Sequence, residues 1–241
     1  MKTIKIPSHK VVSREEWLKA RKTHLAKEKQ FTRQRDELSR QRRKLPWVKV
    51  EKPYGFDGPK GKETLADLFD GRSQLIVYHF MFGPDQKWKE GCPSCSFLAD
   101  HIDGANLHLP HHDVTLLVVS RAPLSKIEPF KKRMGWRFKW VSSYGSDFNF
   151  DYHVSFTKKE LARGKVPYNY EMQEGNDELP GISVFYQAET AISSTPIPHT
   201  RAGDLLIGTY NYLDLAPLGR HEEKGHGMDW VRHHDRYKDQ P

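Results

Sequence analysis

Cysteine is nearly missing from this chain: 241 residues hold only two, Cys92 and Cys95. Thiols so close together cannot staple distant segments, which excludes a disulfide-framed scaffold, and a reducing compartment suits them. Long apolar runs are missing too. Nothing approaches the roughly 18 apolar residues of a membrane span, and the opening Met1-Lys2-Thr3-Ile4-Lys5 is followed by charge rather than by an apolar signal-peptide core. A cytoplasmic protein without a membrane segment is therefore expected. Apolar residues make up only 37% of the chain, yet twelve Phe, ten Tyr and six Trp supply large side chains for packing. A chain of this length is expected to bury one main core plus an extension, because single cores stop growing near roughly 250–300 residues.

The polarity is local. Residues 27–44 hold eight basic side chains against Glu28, Asp36 and Glu37, so this stretch carries +5 of the formal net charge of +8. Ser13-Arg14-Glu15-Glu16 has the form of a capping box, a serine hydroxyl serving an N–H three residues on while Glu16 reaches back. A long helix is predicted from there to about Lys44, where Leu45-Pro46 stops it. Trp17, His24, Phe31, Leu38 and Leu45 fall on a seven-residue spacing and make one narrow stripe. By that stripe the helix is expected to lie on the core or on a second copy of the chain. Residues 1–46 thus form a basic helical extension, 47–217 the main domain, and 218–241 a charged, His-rich tail.

Beyond Pro46 the pattern changes to short strands and helices. Residues 47–52 read as a strand, 56–61 as a Gly- and Pro-rich connection and 64–69 as a short helix. Residues 75–82, Leu-Ile-Val-Tyr-His-Phe-Met-Phe, are the nearly continuous apolar run of a strand covered on both faces, central and parallel. A helix follows from Cys95, then a buried strand at 113–120, a helix through Met134, a strand at 138–142, a short helix at 158–163, a strand at 182–186 and a helix at 203–212 closed by Pro217. Strands alternating with helices in this way predict an α/β sheet.

The segment Gly91-Cys92-Pro93-Ser94-Cys95 carries the chemistry. A Cys-x-x-Cys opening a helix sets its first sulfur over unpaired N–H groups and the positive end of the helix dipole, which favours thiolate over thiol. Cys92 is then the nucleophile. It attacks a substrate disulfide, and Cys95, one turn on and more buried, resolves the mixed disulfide. Pro93 suits the first helical position, having no N–H to waste. Ser94 offers its N–H and hydroxyl near the sulfur.

Strand 75–82, loop, Cys92-Pro93-Ser94-Cys95, helix, strand 114–120, and Leu179-Pro180 before strand 182–186 together resemble a thioredoxin, over about residues 64–188. The implied fold is thioredoxin-like α/β: a central mixed sheet flanked by helices, here with a long N-terminal helical extension and a C-terminal helix and tail. The resemblance further implies a cis-proline at Pro180 that faces the cysteines and shapes the substrate groove, while the long loop 84–90, with Trp88 between Lys87 and Lys89, is placed to cover the site. The stretches Phe82-Gly83-Pro84, Gly91 to Phe97, Val119 to Leu124, Trp140 to Asn149 and Tyr212 to Arg220 are similar to the bacterial thioredoxin-like family named domain of unknown function 899. That family implies a dithiol–disulfide activity and names no substrate. Three departures from ordinary thioredoxins stand out: Gly91 sits where they place Trp, the inner pair is Pro-Ser rather than Gly-Pro, and the central strand offers His79 but no acid to take the proton of Cys95.

The expected partners are a disulfide- or peroxide-containing substrate and a thiol electron donor, with no cofactor. Zinc would need His108, His111 or His112 to fold back onto the cysteines, and no metal site is expected. His79 reads as a satisfied core histidine, and the aromatic block from Trp136 to Tyr152 as core. His221, His226, His233 and His234 read as solvated tail residues. Arg121 and Arg220 stay open as anion contacts near the site. Two readings remain beside the enzyme: a thioredoxin-fold scaffold with redundant cysteines, and a nucleic-acid binder working through the basic helix. The acids inside that helix count against the second.

Overall fold

Ser13 starts the first helix as its surroundings direct. Its hydroxyl accepts the Glu16 N–H at 3.2 Å, and the Glu16 carboxylate accepts the Ser13 N–H at 3.2 Å, so two otherwise orphaned donors are satisfied. Helix α1 (Arg14–Arg42) runs 29 residues from this cap. The computed structural model describes residues 10–188, 191–197, 201–220, 222 and 227–237, and the chain divides into two units, Met1–Trp47 and Val48–Pro241. No residue of α1 is buried; its stripe stands open, with Trp17, Phe31 and Leu38 all at least half exposed. Glu28 and Glu37 pair with Arg21 and Arg40 of the same helix, which spends part of its basic charge internally. Among the described residues no helix is long and apolar enough to cross a membrane.

In the second unit, β1 (Val48–Lys49), β2 (Gly55–Gly58), β3 (Gly61–Thr64), β4 (Gln74–His79), β5 (Val114–Ser120), β6 (Trp140–Ser142), β9 (Gly181–Ala188) and β10 (Ala191–Ile197) form one sheet, in the order β1-β10-β9-β4-β5-β6-β2-β3. Between β6 and β9 the chain makes a separate hairpin, β7 (Val166–Tyr168) and β8 (Glu171–Gln173). Helices α2 (Pro93–Ala99) and α3 (Ile102–Ala105) join β4 to β5, and α4 (Leu124–Arg133) joins β5 to β6. After β6 come α5 (Phe148–Asp151) and α6 (Lys158–Leu161), and α7 (Gly208–Leu213) follows β10.

Strand β4 is interior, parallel to β5 and antiparallel to β9. Its alternation sorts two cores onto the two faces of the sheet. Tyr78, Phe80 and Phe82 pack with Phe97, Leu98, Phe130, Trp136 and Trp140 on one side, while Leu75 and Val77 pack with Leu68, Phe69, Leu117, Val119 and Phe148 on the other. Helix α2 lies on the first face and buries Cys95, Phe97, Leu98 and Ala99 there. The β5-β4-β9-β10 core, with the dithiol helix between β4 and β5, is that of a thioredoxin-like fold.

Several segments differ from the sequence expectation, among them 64–69, where the expected helix is the end of β3 and a 3-10 turn at Asp67–Phe69. The Gly- and Pro-rich stretch 56–61 is a hairpin, β2 pairing with β3 in register from Gly55 opposite Thr64 to Gly58 opposite Gly61; Gly61 has φ 122°, a value that side chains disfavour. The helix expected over 203–212 breaks into a 3-10 turn, Arg201–Leu206, and α7, with extended Ile207 between them. The hairpin β7–β8 turns through Asn169 and Tyr170, both at positive φ, a conformation that apolar alternation does not announce.

Candidate active site

Cys92 caps α2. It is extended, φ −63° and ψ 130°, and Pro93 follows at the first helical position. Its carbonyl accepts the Ser96 N–H and the Ser96 hydroxyl, both at 2.9 Å. This cap leaves the free N–H groups of the first turn pointing toward the Cys92 sulfur. The Cys92 thiol is lowered to about 6: the hydrogen bond from the Cys95 thiol is the largest cause, and the N–H groups of Cys95 and Ser94 and the Ser94 hydroxyl add to it against the opposing cost of burial. Cys95, only 2% exposed, is pushed well above an ordinary thiol, first by burial and then by the Cys92 sulfur. One thiol is an acid and its neighbour a reluctant one.

Sequence reasoning missed Tyr78. Its hydroxyl donates to the Cys95 carbonyl at 3.4 Å, and its nearness to the Cys95 thiol works against the rise that burial imposes on that thiol. His79 points to the opposite face of β4, where its Nε2 meets the Ser183 hydroxyl at 2.8 Å and its ring stacks on Phe148. The signal was the two-residue period of the strand, which puts Tyr78 with Phe80 toward the dithiol helix and His79 away from it.

Pro180 shares a cavity with Ser94 and Cys95. With Tyr78, Met81, Ser94, Cys95 and Ile182 it lines a cavity of about 220 Å³ that Ile207 and Met228 help to close. The expected cis bond is not there: among the described residues no peptide bond is cis. The trans Leu179–Pro180 bond leaves the Pro180 carbonyl toward Tyr168, whose hydroxyl donates to it at 2.8 Å, and trans is the lower-energy form in general.

Loop 84–90 is tied down rather than loose. The Lys126 ammonium donates to the carbonyls of Pro84, Asp85 and Trp88 at 2.9, 3.0 and 3.3 Å. The Trp88 indole donates to Asp177 at 3.3 Å, and Lys87 pairs with Asp177 at 2.7 Å, so the loop is joined to the segment that leads into Pro180. Behind it, Glu178 is buried and bonded to Arg121 at 2.8 Å and to the Ser155 hydroxyl at 2.7 Å, and the Arg121 guanidinium lies 4.2 Å over the Phe150 ring. Arg220 is held by Asp204 and Asp214 over the Tyr210 ring. Both arginines therefore have carboxylate partners. Of the tail histidines, His233 is buried and His234 bonds Asp100 at 2.7 Å, whereas His221 and His226 lie outside the described residues. Among the described residues no group of three His, Cys, Asp or Glu side chains could hold a metal.

Gly91 has a steric reason. A Cβ there would come within 2.6 Å of both Phe80 and Phe130, rings buried in the core under the dithiol helix. Gly91→Ala is expected to cost about 1–3 kcal/mol through overpacking, more than the roughly 0.4–1 kcal/mol that alanine returns by restricting the unfolded chain. A melting temperature lowered by several degrees checks this; an unchanged or raised one contradicts it.

A thioredoxin-like sheet whose dithiol caps a helix is the class that fold and site define. The chain matches the family described as "Bacterial protein of unknown function (DUF899)" over residues 6–237 and belongs to it. No curated protein matches. Among solved structures, a Chlorobium tepidum protein described as a thiol:disulfide interchange protein DsbE is 11% identical with a TM-score of 0.41, covering 73% of this chain and 99% of its own. The peroxidoxin BcpB of Mycobacterium tuberculosis is 12% identical with a TM-score of 0.38, covering 68% and 94%. Peroxiredoxin Q of Xanthomonas campestris is 12% identical with a TM-score of 0.41, covering 68% and 94%.

Proposed function

We propose that the protein is a cytoplasmic thiol–disulfide oxidoreductase in which Cys92 attacks and Cys95 resolves. The placement of Cys92 at the N-terminus of α2, with Cys95 buried one turn on, carries this reading, and the opposite displacement of the two thiols agrees with it. With a disulfide substrate, the Cys92 thiolate forms a mixed disulfide and expels the first substrate thiolate. Cys95 then loses its proton and attacks the Cys92 sulfur, expelling the second. Two electrons pass to the substrate, and a thiol donor restores the dithiol. With a peroxide, Cys92 takes the distal oxygen as a sulfenic acid, releasing water or an alcohol, and Cys95 condenses with it, releasing water.

Pro180 and Ser94 line the cavity beside Cys95, which supports them as substrate contacts. Trp88, on the loop joined to the Pro180 segment, and Pro93, between Cys92 and Ser94, complete the proposed contacts. Tyr78 is the hydroxyl placed to serve the proton of Cys95. Turnover of small disulfides and peroxides with a dithiol donor, compared between wild type and Cys92→Ser, tests the reading; equal turnover in both proteins would leave a thioredoxin-fold scaffold as the better account.

A further inference from the structure

His233 belongs to the far end of the chain, yet it is 1% exposed and sits against the residue that precedes the attacking cysteine. Its Nε2 lies 2.8 Å from the Gly91 carbonyl and its Nδ1 lies 2.8 Å from a guanidinium nitrogen of Arg133. A guanidinium only donates, so Nδ1 accepts, the proton is on Nε2, and Nε2–H donates to Gly91. One tautomer of the neutral ring satisfies both partners. The other half of the same peptide unit is also held: the Cys92 N–H donates to the Met81 carbonyl at 3.2 Å. The peptide between Gly91 and Cys92 is thus tied at its carbonyl by the C-terminal segment and at its N–H by Met81, two residues past β4. It cannot rotate without breaking one of these bonds.

The charged groups around the ring reinforce that hold. Glu90 accepts from Arg133 at 2.8 Å and from two nitrogens of Arg236 at 2.6 Å, Asp235 pairs with Arg133 at 3.1 Å, and the Glu90 carboxylate lies 3.7 Å from His233 Nδ1. The ring also packs on Phe130 at 5.3 Å. Burial is the largest cause holding His233 below an ordinary histidine, in keeping with a neutral ring whose Nδ1 faces Arg133.

We propose that His233 is a positioning residue for Cys92, fixing the Gly91–Cys92 peptide so that the sulfur stays over the N–H groups of Ser94 and Cys95. This rests on the reading of Cys92 as the attacking thiol. The C-terminal segment is then part of the active site, not an appendage. Removing the donor frees the peptide, the cap of α2 loosens, and the Cys92 thiol drifts back toward an ordinary one.

The pH dependence of Cys92 alkylation by iodoacetamide, followed by mass spectrometry, reads the thiolate without any substrate. His233→Phe keeps the ring against Phe130 and deletes the donor; His233→Gln keeps an N–H at nearly the same reach. Alkylation at about pH 6.5 is expected to slow about threefold to tenfold in His233→Phe, with its midpoint moved up, and to stay within about twofold of wild type in His233→Gln. Identical curves for the three folded proteins overturn the proposal, as does a fall in melting temperature in both variants with the midpoint unmoved. Should His233→Phe not fold, His233→Leu gives the second reading, since it too deletes the donor to Gly91; a raised midpoint is expected and an unmoved one overturns the proposal. Failure of the oxidoreductase reading looks different: wild-type Cys92 stays acidic and no disulfide exchange occurs.

Discussion

Cys92→Ser is expected to abolish thiol-dependent turnover, by a factor on the order of 10³ or more, whereas Cys95→Ser is expected to stop after one attack. A serine hydroxyl stays protonated at neutral pH, so the first variant has no nucleophile for a sulfur or peroxide oxygen. In the second, Cys92 still attacks, but nothing expels the bound half of the substrate, and the mixed disulfide accumulates in mass spectra at Cys92. Cys95 is also the largest single cause of the low Cys92 thiol. Serine can donate in its place and alanine cannot, so Cys95→Ala is expected to form the same adduct more slowly than Cys95→Ser. Turnover retained in Cys92→Ser, or a mixed disulfide that accumulates on Cys95 of Cys92→Ser while Cys95→Ser forms none, would contradict this division of roles.

The second large effect lies in the pH dependence of stability. The Glu178 carboxyl is raised from 4.5 to about 7, chiefly by burial, which outweighs the lowering by Arg121 and Ser155. Between these values the folded state holds the proton that the unfolded state has released, so stability from this group is fully present below about pH 4.5 and is lost as the pH rises through about 7. The swing is on the order of 3 kcal/mol. Melting followed from about pH 5 to pH 8 is expected to fall, and Glu178→Gln, which cannot ionise, is expected to flatten that fall. A slope unchanged by the substitution would show that the carboxyl is ionised throughout in its pair with Arg121.

Features legible in the sequence were those written in neighbouring residues. Ser13 and Glu16 announce their cap because both partners lie within one turn. The strand at β4 reads clearly because burial on both faces demands a nearly continuous apolar run, Leu75 to Tyr78, and the dithiol is visible as Cys92-Pro93-Ser94-Cys95 because a helix N-terminus is a local object. What stayed hidden is non-local or depends on backbone angles. The polar Ser-Ser-Thr run of β10 becomes a strand only because β9 and β1 offer it hydrogen bonds on either side. Tyr78 and His79 differ in role solely by the face each takes. His233 reaches Gly91 across 142 positions, and composition alone marks it as one more charged tail residue. Gly91, a departure from the thioredoxin pattern in the sequence, becomes a packing necessity once Phe80 and Phe130 are seen beneath it.

The central claim is that Cys92 and Cys95 form a working redox pair. Its most direct test is the midpoint of that pair, measured by thiol labelling of the folded protein across glutathione or dithiothreitol buffers of graded potential. The account predicts a reversible two-electron transition between roughly −300 and −120 mV. Thiols that never pair across that range, or that label only when the protein unfolds, would contradict it.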